Sequence, residues 1–92
     1  MIPTIDEYSD SDEIIKRQAE IEWSDDYEMR MHHIEKQRIA VENLKRGKPG
    51  DLSEKEFQRI RDRANHEWPL DYEMRLHEEL KQIESLRKLK KI

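Results

Sequence analysis

Two Glu–His pairs are the residues best suited to metal chemistry: Glu28 with His32, and Glu73 with His77. Residues four apart lie on one face of an α-helix, one turn from each other. Two such faces that met would offer two carboxylates and two imidazoles, a donor set suited to zinc, iron or manganese. However, di-metal helix bundles use Glu-x-x-His at a spacing of three, and each pair here encloses an arginine that would oppose a cation. We therefore predict no metal and no cofactor, with a metal-binding helical protein as the alternative.

Enzyme chemistry finds little support elsewhere in the sequence. The 92 residues include no cysteine, which excludes a thiolate nucleophile, a disulfide framework and a cysteine-bound zinc ion. Both glycines fall in the segment 47–50, which follows a helical pattern rather than a strand and lacks the Ser or Thr of a phosphate-binding loop. The serines and histidines show no nucleophile pattern. The sequence therefore predicts a protein that is not an enzyme.

Aromatic residues and arginines form a second candidate site. These residue types dominate protein interfaces because they bury a large area at a small entropic cost. We predict that four of them bind a partner: Tyr27, Arg30, Tyr72 and Arg75. Trp23 and Trp68 would lie beneath them as structural anchors. A purely structural interpretation stays open, because Trp, Tyr and Met stripes usually form a core. In addition, each arginine stands four residues after an aspartate, the spacing of a helical ion pair.

An internal repeat is the strongest signal in the sequence. Residues 19–37 and 64–82 share 11 identities over 19 positions at a constant offset of 45, with the common core EWxxDYEMRxH. This pattern indicates a tandem duplication. Two copies are fewer than the roughly three that an open solenoid needs. We therefore expect the copies to pack on each other about a pseudo-two-fold axis, or on a second chain.

Both copies show helical periodicity. A 3-4-4 spacing of apolar residues predicts a short helix in the second copy: Phe57, Ile60, Ala64 and Trp68. Ser53 with Glu56 has the spacing of a capping box, so this helix should begin near Ser53. Short polar or proline-containing interruptions at 24–26 and 69–71 precede two long amphipathic segments. The sequence thus predicts an all-α fold, a tandem duplication of a short-helix/long-helix pair in a compact four-helix arrangement.

The chain is predicted to form one domain. Residues 1–9 are expected to be a flexible N-terminal segment in which Ile2, Ile5 and Tyr8 are available to dock on the fold. Residues 10–46 form the first helical repeat and residues 53–92 the second, joined by a linker turn at 47–52 that contains Gly and Pro.

Composition limits the core and the choice of partner. Hydrophobic residues make up 34% of the chain and charged residues 43%, with a formal net charge of −4. No uncharged run is long enough for a transmembrane helix, and a pI near 5.6 argues against a nucleic-acid partner. Residues 1–28 carry ten acids and two bases, whereas residues 29–92 carry twelve acids and sixteen bases. The sequence favours a small cytoplasmic interaction protein, an adaptor or regulator, that binds another protein or forms a homodimer.

Overall fold

Four α-helices account for most of the residues that the structure, a computed structural model, describes: residues 7–92. Their bounds are α1 Ser11–Glu22, α2 Tyr27–Leu44, α3 Glu54–Glu67 and α4 Tyr72–Leu89. No strand occurs in this range, and no helix in it is long and apolar enough to cross a membrane. The prediction of a compact, all-α arrangement of four helices is confirmed for these residues.

The helix starts follow from short-range hydrogen bonds that the sequence encodes. Ser53 and Glu56 form the predicted capping box: Ser53 Oγ accepts from the Glu56 N–H at 3.1 Å, and Glu56 Oε1 accepts from the Ser53 N–H at 2.9 Å. Asp26 and Asp71 cap α2 and α4, because each carboxylate accepts from the N–H three residues further on, at 3.0 and 3.1 Å. Such caps satisfy N–H groups that have no partner inside the helix.

The two arginines of the repeated motif bind backbone carbonyls. Arg30 Nη1 donates to the Ser24 carbonyl at 3.4 Å, and Arg75 donates to the carbonyls of Trp68 and Pro69 at 2.8 and 2.6 Å. Within residues 7–92, no salt bridge joins either arginine to the aspartate four residues before it. The predicted ion pairs are therefore wrong, because the carboxylates serve as helix caps and the arginines tie each long helix to the preceding bend.

The helices pack in the spatial order α1, α2, α4, α3. α1 packs on α2, α3 packs on α4, and the two long helices join the pairs; in the described range α1 does not pack against α3. The structure extends 50 × 39 × 19 Å. The helices therefore form a layer about half as thick as it is wide, and half of the residues of α2 and of α4 are exposed.

The two long helices run in the same direction but are staggered along their axes. The start of α4 lies beside the C-terminal half of α2, since the Tyr72 N–H donates to Gln37 Oε1 at 2.7 Å. Further along, Arg61 of α3 donates both to the Leu44 carbonyl of α2 and to the Glu79 carboxylate of α4. Residues about 35 apart in sequence therefore lie side by side, although the sequence repeat has an offset of 45.

The stagger is incompatible with the predicted two-fold axis. Such an axis would place Gln82 against Tyr27 in the same way that Gln37 lies against Tyr72. Tyr27 is instead 72% exposed, whereas Tyr72 is 3% exposed. The predicted two-fold relation therefore does not hold, because α4 is displaced along α2 and only one of the two equivalent contacts can form within the chain.

Two apolar clusters hold the layer together. One lies between the helix pairs and comprises Tyr8, Ile15, Ala40, Val41, Leu44 and Tyr72. The other lies between α3, α4 and the turn before α3, and comprises Leu52, Phe57, Ile60 and Ile83. Tyr8 thus belongs to the core, while Ile2 and Ile5 lie outside the described residues.

The two tryptophans lie at the bends, outside both clusters. Trp68 is 36% exposed and Trp23 is half-buried. Their backbone N–H groups close the last turns of the short helices, donating to the carbonyls of Ala19 and Ala64 at 2.9 Å. The two predicted structural anchors therefore lie at the bends and are not fully buried.

Candidate functional site

One amide group joins the start of α4 to α2. Gln37 is 2% exposed. Its Oε1 accepts from the Tyr72 N–H at 2.7 Å, and its Nε2 donates to Asp71 Oδ1 at 2.9 Å and to Glu73 Oε1 at 3.4 Å. A glutamine offers both an acceptor and two donors, so this single side chain satisfies three polar groups around the first turn of α4.

Tyr72 completes this internal contact and is not available to a partner. Its ring meets the Tyr8 ring edge-on, with centroids 6.3 Å apart, and the Arg75 guanidinium lies 4.7 Å from the ring centroid. Burial raises the pKa of Tyr72 above its ordinary value and raises the pKa of Tyr8 to about 12. Of the four predicted binding residues, Tyr72 is therefore buried in the internal contact, and the half-buried Arg75 lies against its ring.

Of the other two predicted binding residues, Tyr27 lies on an open surface and Arg30 is half-buried beside it. Tyr27 is 72% exposed and Met31 is 54% exposed, and the Arg30 guanidinium lies 5.4 Å from the Tyr27 ring centroid. We call Tyr27, Glu28 and Met31 the Tyr27 face. Their counterparts 45 residues on are Tyr72, Glu73 and Leu76, which form the contact with α2. The same local motif therefore contacts a second helix in the second copy and is open to solvent in the first.

A second open surface lies on the C-terminal half of α4. Leu89 is 64% exposed, whereas Leu44, 45 residues earlier, is 1% exposed. Within residues 7–92, the Gln82 side chain donates to Glu78 of its own helix at 3.0 Å and to no other helix. We call Gln82, Ser85 and Leu89 the Gln82 face. Its residues occupy the repeat positions of Gln37, Ala40 and Leu44, the surface of α2 that receives α4.

The structure does not bring the two Glu–His pairs together. Glu28, His32, Glu73 and His77 are all exposed, and Glu73 accepts a hydrogen bond from Gln37. No group of three or more His, Asp or Glu side chains within residues 7–92 is placed to hold a metal ion. The metal alternative needs all four residues at one place, so this arrangement gives it no support.

A buried ion pair at the junction of three helices was missed by sequence reasoning. Arg61 and Glu79 are 8% and 3% exposed; Arg61 Nε lies 3.1 Å from Glu79 Oε2, and Arg61 Nη2 lies 2.7 Å from the Leu44 carbonyl oxygen. The Arg61 guanidinium also lies 4.6 Å from the Phe57 ring centroid. One signal was present, because Glu79 stands where the first copy has Ile34, a polar residue in a core position.

Gln37 was also missed, although Gln37 and Gln82 are identical at the end of the repeated segment.

Comparisons of the chain with family models, with curated proteins and with solved structures gave no match.

Proposed function

We propose that this is a non-enzymatic helical interaction protein, an adaptor or regulator, that binds another protein or itself through the Tyr27 face. One observation carries the proposal: Tyr27 is 72% exposed, while Tyr72, in the same DYEMR sequence, is 3% exposed against a neighbouring helix. We also propose that the chain is a tandem duplication of a short-helix/long-helix pair. In that case the contact of Tyr72 with α2 is a guide to how a partner would contact Tyr27.

The energetics of the exposed face favour a binding role. Fully burying a large apolar side chain contributes about 1.5–3 kcal/mol, and Tyr27 and Met31 are both more than half exposed. Tyrosine is enriched among residues that dominate binding energy. Because these two side chains stand one turn apart on α2, they match the recognition of one helix in the groove of another.

The charge around the Tyr27 face defines the kind of partner. Residues 20–28 carry five carboxylates and no basic residue. Opposite charge across an interface steers association and excludes partners of like charge. The partner surface is therefore a helical groove with an apolar centre and a basic rim.

A photo-crosslinking amino acid at position 27, and separately at position 21, tests the proposal in extract from the source cells. Ile21 is a matched control because it is 66% exposed and lies outside the Tyr27 face. We expect one discrete adduct from position 27, and no such adduct from position 21. The same adducts from both positions, or none from position 27, would contradict the proposal.

A further inference from the structure

We propose that the partner of the Tyr27 face is the Gln82 face of a second copy of this chain, so that the protein assembles head to tail. This inference rests on the proposed function, since it names the occupant of the same surface. The contact between copies would repeat the contact that α2 and α4 already make within one chain. Gln82 would take the place of Gln37, and Tyr27 the place of Tyr72.

The polar groups of the internal contact are all present on the two open faces. Gln37 contacts Asp71, Tyr72 and Glu73. The counterparts, Gln82 on one side and Asp26, Tyr27 and Glu28 on the other, are identical residues. The Tyr27 N–H is one of the first N–H groups of α2, which have no acceptor inside the helix. It is therefore free to donate to Gln82 of a second copy, as Tyr72 donates to Gln37.

The apolar surroundings of the internal contact are repeated in part, because Ser53 and Ser85 stand at the positions of Tyr8 and Ala40. Tyr72 packs in a cluster with Ile15, Val41 and Leu44. Their counterparts are Ile60, Leu86 and Leu89; of these Leu89 is exposed, Leu86 is half-buried, and Ile60 is already buried in the second cluster. A tyrosine entering from a second copy would thus meet aliphatic side chains at the same three positions.

A cation at the internal junction has a counterpart as well. Arg61 Nη2 donates to the Leu44 carbonyl at the C-terminal end of α2. The residue 45 positions earlier is Lys16, which is exposed on α1. In the assembled state Lys16 of one copy would reach the Leu89 carbonyl at the end of α4 in the other, where a helix C-terminus favours positive charge.

Charge complementarity supports the same pairing. The end of the molecule that bears the Tyr27 face has five carboxylates and no base within residues 20–28. The end that bears the Gln82 face has five basic residues and one carboxylate within residues 81–92, and three of these bases pair with Asp51, Glu56 and Glu78 outside that range. Complementary potentials of this kind favour contact between opposite ends and disfavour contact between like ends.

The stagger makes the assembly open-ended. Tyr72 lies beside Gln37, ten residues beyond its own counterpart Tyr27, which corresponds to about 15 Å along the helix axis. Because α2 and α4 run in the same direction, each added copy is displaced further along that direction and does not return to the first copy. Such a heterologous contact forms chains rather than a closed dimer.

Sedimentation velocity of the full chain over a range of concentrations at low salt tests the inference. Tyr27→Asp disrupts the Tyr27 face and leaves the Gln82 face intact. Leu89→Asp disrupts the Gln82 face and leaves the Tyr27 face intact. Ile21→Asp is the matched control, since Ile21 is equally exposed on α1 and lies outside both faces. Thermal unfolding of every variant confirms that each one folds.

We expect the apparent mass of the wild type and of Ile21→Asp to rise with concentration beyond twice the monomer mass of 11.3 kDa. Each of the other two variants alone should stay monomeric, and an equimolar mixture of the two should form a one-to-one complex. A wild type that is monomeric at all concentrations, growth that stops at a dimer, or a mixture that stays monomeric would each overturn the head-to-tail inference. A monomeric wild type that still gives a specific adduct of foreign mass from position 27 would leave the proposed function standing.

Discussion

Tyr27 and Tyr72 begin the two long helices within the same DYEMR sequence, yet one is 72% exposed and the other 3% exposed. Locally the two sites agree. An aspartate caps each helix, and an arginine lies over each tyrosine ring. The sites differ in what stands opposite: Tyr72 meets Gln37 and Tyr8, whereas Tyr27 meets no second helix within the described part of the chain.

This difference separates what the local sequence controls from what packing controls. Caps, bends and the arginine–tyrosine contact depend on residues a few positions apart, so they recur in both copies. Burial depends on the placement of α4 along α2, which involves residues about 35 apart. Substitutions at matched positions in the two copies should therefore have unequal effects on stability.

The largest difference is expected for the tyrosines themselves. Tyr72→Ala removes a buried ring and leaves a cavity between the helix pairs, which should cost about 3–5 kcal/mol in the free energy of unfolding. Tyr27→Ala should cost less than about 1 kcal/mol in the monomer, because its ring is solvent-exposed. Urea denaturation of dilute protein measures both values, and equal losses would contradict the asymmetry.

Arg61 and Lys16 offer a second matched pair. Arg61→Ala would leave Glu79 buried without its cation, which should cost about 3 kcal/mol, the lower end for such pairs, since the Arg61 side chain is 10% exposed. Lys16→Ala should change the stability by at most about 0.5 kcal/mol.

The double variant Arg61→Met/Glu79→Leu separates the charge from the packing. It should recover most of the stability, because it removes both buried charges together. Guanidinium unfolding of the single and double variants tests this, and a double variant no more stable than Arg61→Ala would show that the loss comes from packing alone.

Gln37 and Gln82 should differ by a smaller amount. Gln37→Ala leaves the buried Tyr72 N–H without an acceptor, which should cost about 2 kcal/mol. Gln82→Ala breaks one hydrogen bond within α4 and should cost about 0.5 kcal/mol. Thermal unfolding at low protein concentration checks the order, and a greater loss for Gln82→Ala would be inconsistent with the stagger.

Several features of the fold were predictable because they are local. The helical periodicity, the turn between the two copies and the capping box of Ser53 need only neighbouring residues. The stagger was not predictable, since either half of α2 could have received α4 on the basis of its repeated residues. The burial of Tyr72, the openness of Tyr27 and the role of Gln37 all follow from that stagger. The Arg61–Glu79 pair escaped notice because charged residues are seldom buried unless paired.

Trp68→Ala should have a modest effect despite the size of the residue. The ring is 36% exposed and lies outside both apolar clusters, so we expect a loss of about 1 kcal/mol where a fully buried tryptophan would cost about 3–5 kcal/mol. Differential scanning calorimetry can measure this difference, and a loss in the higher range would place Trp68 in the core.

A further effect is expected on stability at alkaline pH. Burial raises the pKa of Tyr8 from 10.0 to about 12, so the folded state holds this proton more tightly than the unfolded state. The resulting stability is present below pH 10 and is lost as the pH rises toward 12. Tyr8→Phe cannot ionise, so its urea midpoint should fall less steeply than that of the wild type over this range; parallel curves would contradict burial of Tyr8.

Cysteine crosslinking tests most directly whether the open faces repeat the internal contact, because the native chain has no cysteine. Within the chain, Gln37 Nε2 lies 3.4 Å from Glu73 Oε1. A bismaleimide reagent, whose spacer replaces the two long side chains, should therefore join the cysteines of Gln37→Cys/Glu73→Cys within one monomer, and this variant serves as the positive control. An equimolar mixture of two single variants, Glu28→Cys and Gln82→Cys, treated with the same reagent should give mainly the mixed 28–82 dimer. A statistical mixture of the two homodimers and the mixed dimer would contradict a head-to-tail contact. The absence of any dimer would contradict it as well.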